Sequence, residues 1–138
     1  MAFIWSTLNV KNLDESIKFY VELLELEVTN RFKAGPETEI AFLGNQSTKI
    51  ELIENAGKSS IEIGEDISWG FSVVSLDKII SVLNKKNIPI LKDMLGTKGT
   101  GKVKIETVFV VKVSELHKAE QSYQIPSYKV KGEIENKF

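Results

Sequence analysis

Residues 3–28 read FIWSTLNVKNLDESIKFYVELLELEV, and this stretch decides the fold. Apolar and polar side chains alternate loosely from Phe3 to Val10, which predicts a β-strand. Asn12 or Asp14 then offers a side-chain oxygen that can accept a hydrogen bond from the first free N–H groups of a helix. The apolar residues that follow share one helical stripe: Ile17, Tyr20, Val21 and Leu24. The stretch therefore predicts a strand followed at once by an amphipathic helix of about three turns.

Three further strand patterns follow this helix, over Leu26–Phe32, Glu39–Leu43 and Lys49–Glu54. Residues 33–36 and 44–47 separate them and carry the Gly, Pro and Asn residues typical of turns. In the last strand, alternation places Ile50 and Leu52 on one face and Lys49, Glu51 and Ile53 on the other.

The pattern then begins again. Residues 69–77 read WGFSVVSLD, a predicted strand that leads into a second helix opened at Leu76-Asp77, as the first opens at Leu13-Asp14. Asn87 and Pro89 are expected to end that helix. A short strand over Ile90–Leu95, a glycine-rich turn over Gly96–Gly101 and a β-branched strand over Val103–Val113 complete the second half.

This repetition predicts an internal duplication within one α+β domain over residues 1–138. The first module covers about residues 1–64 and the second about 65–113, and the C-terminal segment 114–138 is atypical. In that segment Glu115–Gln121 fits a short helix, and the alternation around Pro126 fits either a variant last strand or a tail that pairs with a second chain.

Composition excludes several classes of site. The chain has 138 residues, a formal net charge of −1, one His and no Cys. It therefore has no disulfide, zinc–thiolate site, iron–sulfur cluster, cysteine nucleophile or metal site built on several imidazoles from one chain. Near-neutral charge gives no general attraction to nucleic acid or to an anionic membrane. The apolar runs are short and no targeting segment is visible, so we expect a cytoplasmic protein.

Several of these stretches together resemble the vicinal-oxygen-chelate superfamily, which includes glyoxalase I, extradiol dioxygenases and bleomycin-resistance proteins. The resemblance rests on Leu8–Tyr20 with Leu23–Val28, on Ile40–Gly44 and Lys49–Glu54, and on Trp69–Asp77. It covers about the first 110 residues of the sequence. It implies paired βαβββ modules that form a cup-shaped mixed sheet, and a homodimer.

The metal enzymes of that superfamily place one ligand on each of the first, fourth, fifth and eighth strands. The resemblance puts the first-strand position on Trp5, the fourth-strand position on Glu51 and the fifth-strand position on Phe71. The ligand of the eighth strand has no clear position in this sequence. Trp and Phe supply no donor to a divalent ion, so Glu51 is the one matching ligand. We therefore expect no metal and no cofactor. Recruiting His117 from the tail, or carboxylates from a partner chain, is the remaining route to a divalent metal.

The same positions are the candidate ligand-binding residues. Trp5 and Phe71 either line a pocket for a planar or apolar ligand or fill the cup as core. Phe42 and Trp69 are weaker candidates of the same kind. Glu51 either points into the cup beside these rings or is a solvated strand residue. His117 fits a surface position better than a catalytic one.

Three functions fit these residues. The leading hypothesis is a metal-free protein that binds a small organic molecule in an aromatic-lined cup, with no catalytic residue and no bond broken. The alternative is a metal-dependent lyase or dioxygenase with an atypical ligand set drawn from Glu51 and tail residues. The third is an interaction module whose own side chains fill the cup.

Overall fold

The computed structural model describes residues 1–58, 60–95 and 107–132. The chain divides into two compact units, Met1–Glu62 and Ile63–Phe138. Within the described residues the chain forms seven strands and three helices. The predicted α+β class is confirmed.

The first unit contains four strands and one helix. They are β1 (Trp5–Val10), α1 (Leu13–Leu24), β2 (Val28–Lys33), β3 (Thr38–Leu43) and β4 (Lys49–Asn55). The sheet order is β1-β4-β3-β2. β1 lies parallel to β4, whereas β3 is antiparallel to both β4 and β2. The order strand, helix and three strands agrees with the sequence prediction.

Helix α1 begins where the sequence predicts, because two side chains satisfy N–H groups in its first turn. Asn12 is the N-cap, and its Oδ1 accepts from the backbone N–H of Glu15 at 2.9 Å. Glu54 on β4 supplies a second acceptor, since its Oε1 lies 2.7 Å from the backbone N of Leu13. Glu54 is half-buried in this role. This hydrogen bond therefore joins the start of the helix to strand β4.

One face of the first sheet packs against α1 and forms the core of this unit. Helix α1 contacts β3 and β4. The buried apolar residues of the helix and the sheet are Leu8, Val10, Leu13, Phe19, Tyr20, Leu23, Ala41, Leu43, Ile50 and Leu52. The strand residues in this set alternate with those of the opposite face, so the sheet keeps one face free of the helix.

The second unit contains β5 (Ser68–Ser72), α2 (Leu76–Lys85), β6 (Lys92–Leu95), β7 (Thr107–Lys112) and α3 (Val113–Gly132). Its sheet order is β5-β7-β6, and both pairings with β7 are antiparallel. Ser75 caps α2 by accepting from the N–H of Lys78 at 3.4 Å. Asn87 follows the helix with φ +57°, as predicted for a left-handed terminator.

The core of the second unit lies on one face of its sheet. Phe109 and Val111 on β7 are buried, whereas Val108 and Val110, which point to the opposite face, are half-buried. Helices α2 and α3 both contact β7, and their buried residues include Leu76, Leu83, Val113 and Leu116. The helices therefore cover the face that carries Phe109.

The C-terminal prediction needs correction. Residues 113–132 form the helix α3, so the short helix expected over Glu115–Gln121 is longer, and the variant last strand around Pro126 is not formed there. Burial of Val113 and Leu116 anchors the first turns of this helix, which local alternation could not reveal. The strand expected over Val103–Val113 is described only from Thr107 to Lys112. The predicted turn over Gly96–Gly101 lies outside the described residues.

A membrane-spanning helix was not expected. In the part of the chain that the structure describes, every helix is too short or too polar to cross a membrane.

Candidate binding face on the first sheet

Strand register brings the main candidate residues of the first unit onto one face. Thr7 and Phe42 flank Glu51 on either side, across β1–β4 and β3–β4 respectively. Trp5 lies on the same face as Thr7, which is two residues further along β1. Phe32 pairs with Ile40 across β2–β3, and Ile40 lies on the same face as Phe42, so Phe32 lies on this face too. We name the surface formed by Trp5, Thr7, Phe32, Phe42 and Glu51 the aromatic face. It is the face of the sheet that α1 leaves free.

Three rings form a continuous row on the aromatic face. The centroids of Trp5 and Phe42 lie 5.1 Å apart at an interplanar angle of 67°, an edge-to-face contact. Phe42 and Phe32 stack with centroids 6.4 Å apart at 23°. Trp5 and Phe32 each keep 41% of their surface exposed, and Phe42 is half-buried. Because neighbouring rings hold one another, the row offers ordered aromatic surface rather than scattered exposed side chains.

Glu51 is a buried carboxylate in the middle of this face. It is 8% exposed, so the sequence alternative of a solvated strand residue does not describe it. The hydroxyl of Thr7 donates to its Oε1 at 2.5 Å. A buried carboxylate needs such donors because burial removes its hydration. Thr7 therefore holds the charged group in place beside the rings.

The nearest cation on the same strand is directed elsewhere. Lys49 lies two residues before Glu51 and on the same face, but its Nζ donates to the backbone carbonyl of Gln46 at 3.1 Å. On the helix side of the sheet, Arg31 binds Asp14 at 2.7 Å and Glu39 at 2.8 Å. Hydrogen bonds to Glu39 and then to Asp14 raise the pKa of Arg31. Arg31 thus neutralises carboxylates on the other face.

The two candidates of the second unit lie on the core side of their own sheet. Trp69 pairs with Val111 and Phe71 with Phe109 across β5–β7. Phe71 stacks on Phe109 with centroids 5.4 Å apart at 26° and meets Trp69 edge to face at 6.4 Å. Both Trp69 and Phe71 are half-buried. Their contacts support the packing alternative, and ligand binding by either residue stays a prediction.

The donors at the expected ligand positions do not fit a divalent ion. Trp5 and Phe71 supply no oxygen or imidazole donor, and Glu51 supplies one carboxylate that already accepts from Thr7. In residues 1–58, 60–91 and 107–122, no three His, Asp or Glu side chains converge on one point that could hold a metal.

His117 was considered for recruitment to a metal. It lies on α3 and is half-buried, and its Nε2 is 3.0 Å from Nε2 of Gln121. A half-buried position is compatible with the surface location that its sequence context suggested. It belongs to the second unit, and Gln121 lies one turn further along the same helix.

A separate hollow of about 180 Å³ lies at the turn between β2 and β3. Its charged lining residues are Lys33, Glu37, Glu39 and Glu54. Two of these carboxylates already have structural partners, since Glu39 binds Arg31 and Glu54 caps α1. The hollow is open to solvent and carries no aromatic side chain, so it is a weaker candidate than the aromatic face.

Sequence reasoning missed two residues of the aromatic face, Thr7 and Phe32. Strand alternation places Thr7 on the same side as Trp5, so its position could have been found from the predicted β1. Its bond to Glu51 depends on the parallel register of β1 and β4, which no local pattern encodes. Phe32 joins the row only through the β2–β3 register, which contains an irregularity between Val28 and Asn30.

Comparison with known families gives one match that covers most of the chain. The sequence model of the Glyoxalase/Bleomycin resistance protein/Dioxygenase superfamily matches residues 3–107. No curated protein sequence matches the chain.

Two solved structures are similar to this chain over most of its length. One is the trypanothione-dependent glyoxalase I of Leishmania major, at 21% sequence identity, with a TM-score of 0.55 over 93% of this chain and 99% of that one. The other is a glyoxylase/bleomycin resistance protein/dioxygenase domain from Frankia sp. EAN1pec. It is 24% identical, with a TM-score of 0.51 over 70% of this chain and 84% of that one. At these identities the likeness establishes the fold alone.

Proposed function

The chain belongs to the Glyoxalase/Bleomycin resistance protein/Dioxygenase superfamily, and we propose that it binds a small molecule without the help of a metal. The aromatic face binds a small organic molecule by contact, and no bond is broken. Trp5, Phe42 and Glu51 are the principal ligand-binding residues. Phe71 and Trp69, the other candidates from the sequence, are assigned to packing within the second sheet and not to this surface.

The ordered row of half-exposed rings around Glu51 carries this proposal. Trp5 and Phe32 each leave 41% of their surface to solvent, although aromatic side chains bury large areas when a partner is available. Surfaces of this kind on a soluble protein typically mark binding sites. A flat organic molecule that covers the row would bury the exposed ring surface and exclude water from it.

The alternative is a metal-dependent lyase or dioxygenase of the same superfamily. It requires Glu51 to be joined by at least two more donors at the ends of other strands. The aromatic residue at position 5 and the bond from Thr7 to Glu51 favour the metal-free proposal. The alternative predicts stoichiometric Ni²⁺, Zn²⁺ or Fe²⁺ in the purified protein, lost in Glu51→Gln.

We also propose that the protein is a cytoplasmic homodimer. Exposed apolar side chains support self-association: Met1, Phe3 and Ile4 precede β1, and all three are more than half exposed. Light scattering coupled to size-exclusion chromatography measures the molar mass directly. A mass near twice 15.5 kDa supports the dimer, and a mass near 15.5 kDa over a wide concentration range contradicts it.

Three flat bicyclic molecules test the binding proposal: N-methylquinolinium, quinoline and 1-naphthoate. Calorimetric titration is expected to show binding of at least one of them. Trp5→Ala should then weaken that binding about two- to tenfold, because one aromatic contact is lost. The matched variant Trp5→Phe keeps a ring and should retain most of the affinity.

Two results would overturn the proposal. One is no heat of binding with any of the three molecules up to millimolar concentration. The other is a Trp5→Ala variant that binds each molecule as the parent protein does.

A further inference from the structure

We infer that the molecule held on the aromatic face is an organic cation and that Glu51 is its counter-ion. This inference rests on the proposed function and names the chemical class of the ligand. It follows from the charge of the face rather than from its shape.

The charge of Glu51 is unbalanced within the first unit. The side chain is 8% exposed, and its hydrogen-bond donor is the uncharged hydroxyl of Thr7. Among the side chains described in residues 1–58, 60–91 and 107–122, none forms an ion pair with Glu51. A buried carboxylate without a cation is costly, and a positive ligand group would offset that cost.

Lys49, the cation on the same face of β4, does not offset this charge. Lys49 reaches back to the carbonyl of Gln46 at 3.1 Å. Arg31, on the helix side, is already shared between Asp14 and Glu39. Neither of these two cations of the first sheet therefore balances the negative charge of Glu51.

The rings of the aromatic face favour the same sign of charge. The faces of aromatic rings carry the negative part of their quadrupole and attract cations that lie over them. Trp5 and Phe42 meet edge to face at 5.1 Å, and Phe42 stands directly opposite Glu51 in the β3–β4 register. The carboxylate of Glu51 and the faces of the rings therefore both attract a positively charged ligand and repel a negatively charged one.

The occupant that fits these features is a small molecule with a flat apolar body and one positive group. The flat body contacts the rings of this row, in which Phe42 and Phe32 are inclined to each other by only 23°. The positive group lies against Glu51 between β1 and β3. A quaternary or protonated ring nitrogen meets both requirements.

The charge series of the three bicyclic molecules tests the inference in the parent protein. N-methylquinolinium carries a positive charge, quinoline is neutral at neutral pH and 1-naphthoate is negative, while their shapes are similar. Affinity is expected to fall in that order. Binding of quinoline or 1-naphthoate as tight as that of N-methylquinolinium would overturn the inference and leave the proposed function standing. Absence of binding by all three would overturn the proposed function itself.

A variant pair assigns the preference to Glu51. Glu51→Gln keeps the shape and still accepts from Thr7, and it should weaken N-methylquinolinium binding about tenfold while quinoline binding changes little. Glu37→Gln, on the β2–β3 turn, makes the same change in net charge away from the aromatic face and should change neither. Equal affinity of Glu51→Gln and parent protein for N-methylquinolinium contradicts the inference.

Folding of the variant is checked by circular dichroism, and Glu51→Asp gives an independent test. The shorter side chain keeps the charge, so the preference for N-methylquinolinium over 1-naphthoate should persist. Loss of that preference in a folded Glu51→Asp protein would contradict a role for the charge.

Discussion

In the first unit the last strand, β4, lies parallel to β1, whereas in the second unit β7 lies antiparallel to β5. The two units start alike, with a strand that leads into a helix opened by Leu-Asp. They differ in what completes the sheet. In the second unit β7 has β5 on one side and β6 on the other, and the chain continues directly into helix α3.

This difference decides which residue stands opposite the matched position on the first strand of each unit. Thr7 stands as far before Leu13 as Gly70 stands before Leu76. Thr7 pairs with Glu51 across the parallel strands, whereas Gly70 pairs with Val110 across the antiparallel ones. The two units begin with the same strand–helix pattern but do not share a site, because the strand that pairs with β1 or β5 determines which residue lies opposite Thr7 or Gly70. Substitutions in each unit test this contrast.

The largest expected effect separates core packing from the aromatic face. Phe109 is 1% exposed in the second unit, so Phe109→Ala should lower the free energy of unfolding by about 3–5 kcal/mol. Phe42 is half-buried, and Phe42→Ala should cost less stability but weaken N-methylquinolinium binding. Urea denaturation and calorimetry measure the two effects. If Phe42→Ala were less stable than Phe109→Ala and bound N-methylquinolinium as tightly as the parent protein, Phe42 would be a core residue and not a binding residue.

Helix capping should differ between the units. In the first unit Glu54→Ala removes the acceptor at 2.7 Å from the N–H of Leu13 and should cost about 1–2 kcal/mol of stability. Glu54→Gln keeps an acceptor oxygen and should cost less. In the second unit the Ser75 cap is longer, at 3.4 Å, so Ser75→Ala should cost about 0.5–1 kcal/mol. Thermal denaturation ranks the three variants, and a larger loss for Ser75→Ala than for Glu54→Ala contradicts the contrast.

The sequence predicted what depends on neighbours along the chain. The start of α1 at Asn12, the left-handed Asn87 and the four strands of the first unit all follow from local residue types and alternation. Contacts between residues far apart in the sequence could not be predicted in this way. The bond from Thr7 to Glu51 and the cap from Glu54 need the strand register, and α3 is anchored by burial of Val113 and Leu116.

The predicted position of Phe71 in the ligand site can be tested directly. Because Phe71 stacks on buried Phe109, Phe71→Leu should lower stability by about 1 kcal/mol and leave quinoline affinity within error of the parent. Val74→Ala, at an exposed position three residues away, is the matched control and should change neither property. A marked fall in affinity at unchanged stability would instead place Phe71 in the binding site.

The smallest effect is expected at Arg31. Its pairs with Asp14 and Glu39 are substantially exposed, so Arg31→Gln should cost no more than about 1 kcal/mol, and less at high salt. Because the pairs raise the pKa of Arg31, their contribution is complete below the usual Arg pKa and is lost only as pH rises through the raised value.

The difference in unfolding free energy between parent and Arg31→Gln should therefore be constant from neutral pH to about pH 10. Urea denaturation at several pH values measures it. A difference that disappears well below about pH 10 would contradict this account of the ion pairs.

The central claim is that the first sheet, and not the second, presents the ligand-binding surface. Amide chemical-shift mapping by NMR during titration with N-methylquinolinium tests it most directly. We expect the shifted amide signals to cluster around Trp5, Thr7, Phe42 and Glu51, and the chemical shifts of the Gly70 and Val110 amides to remain unchanged. Shifts centred on β5 and β7, with the amides around Glu51 unmoved, would contradict the account.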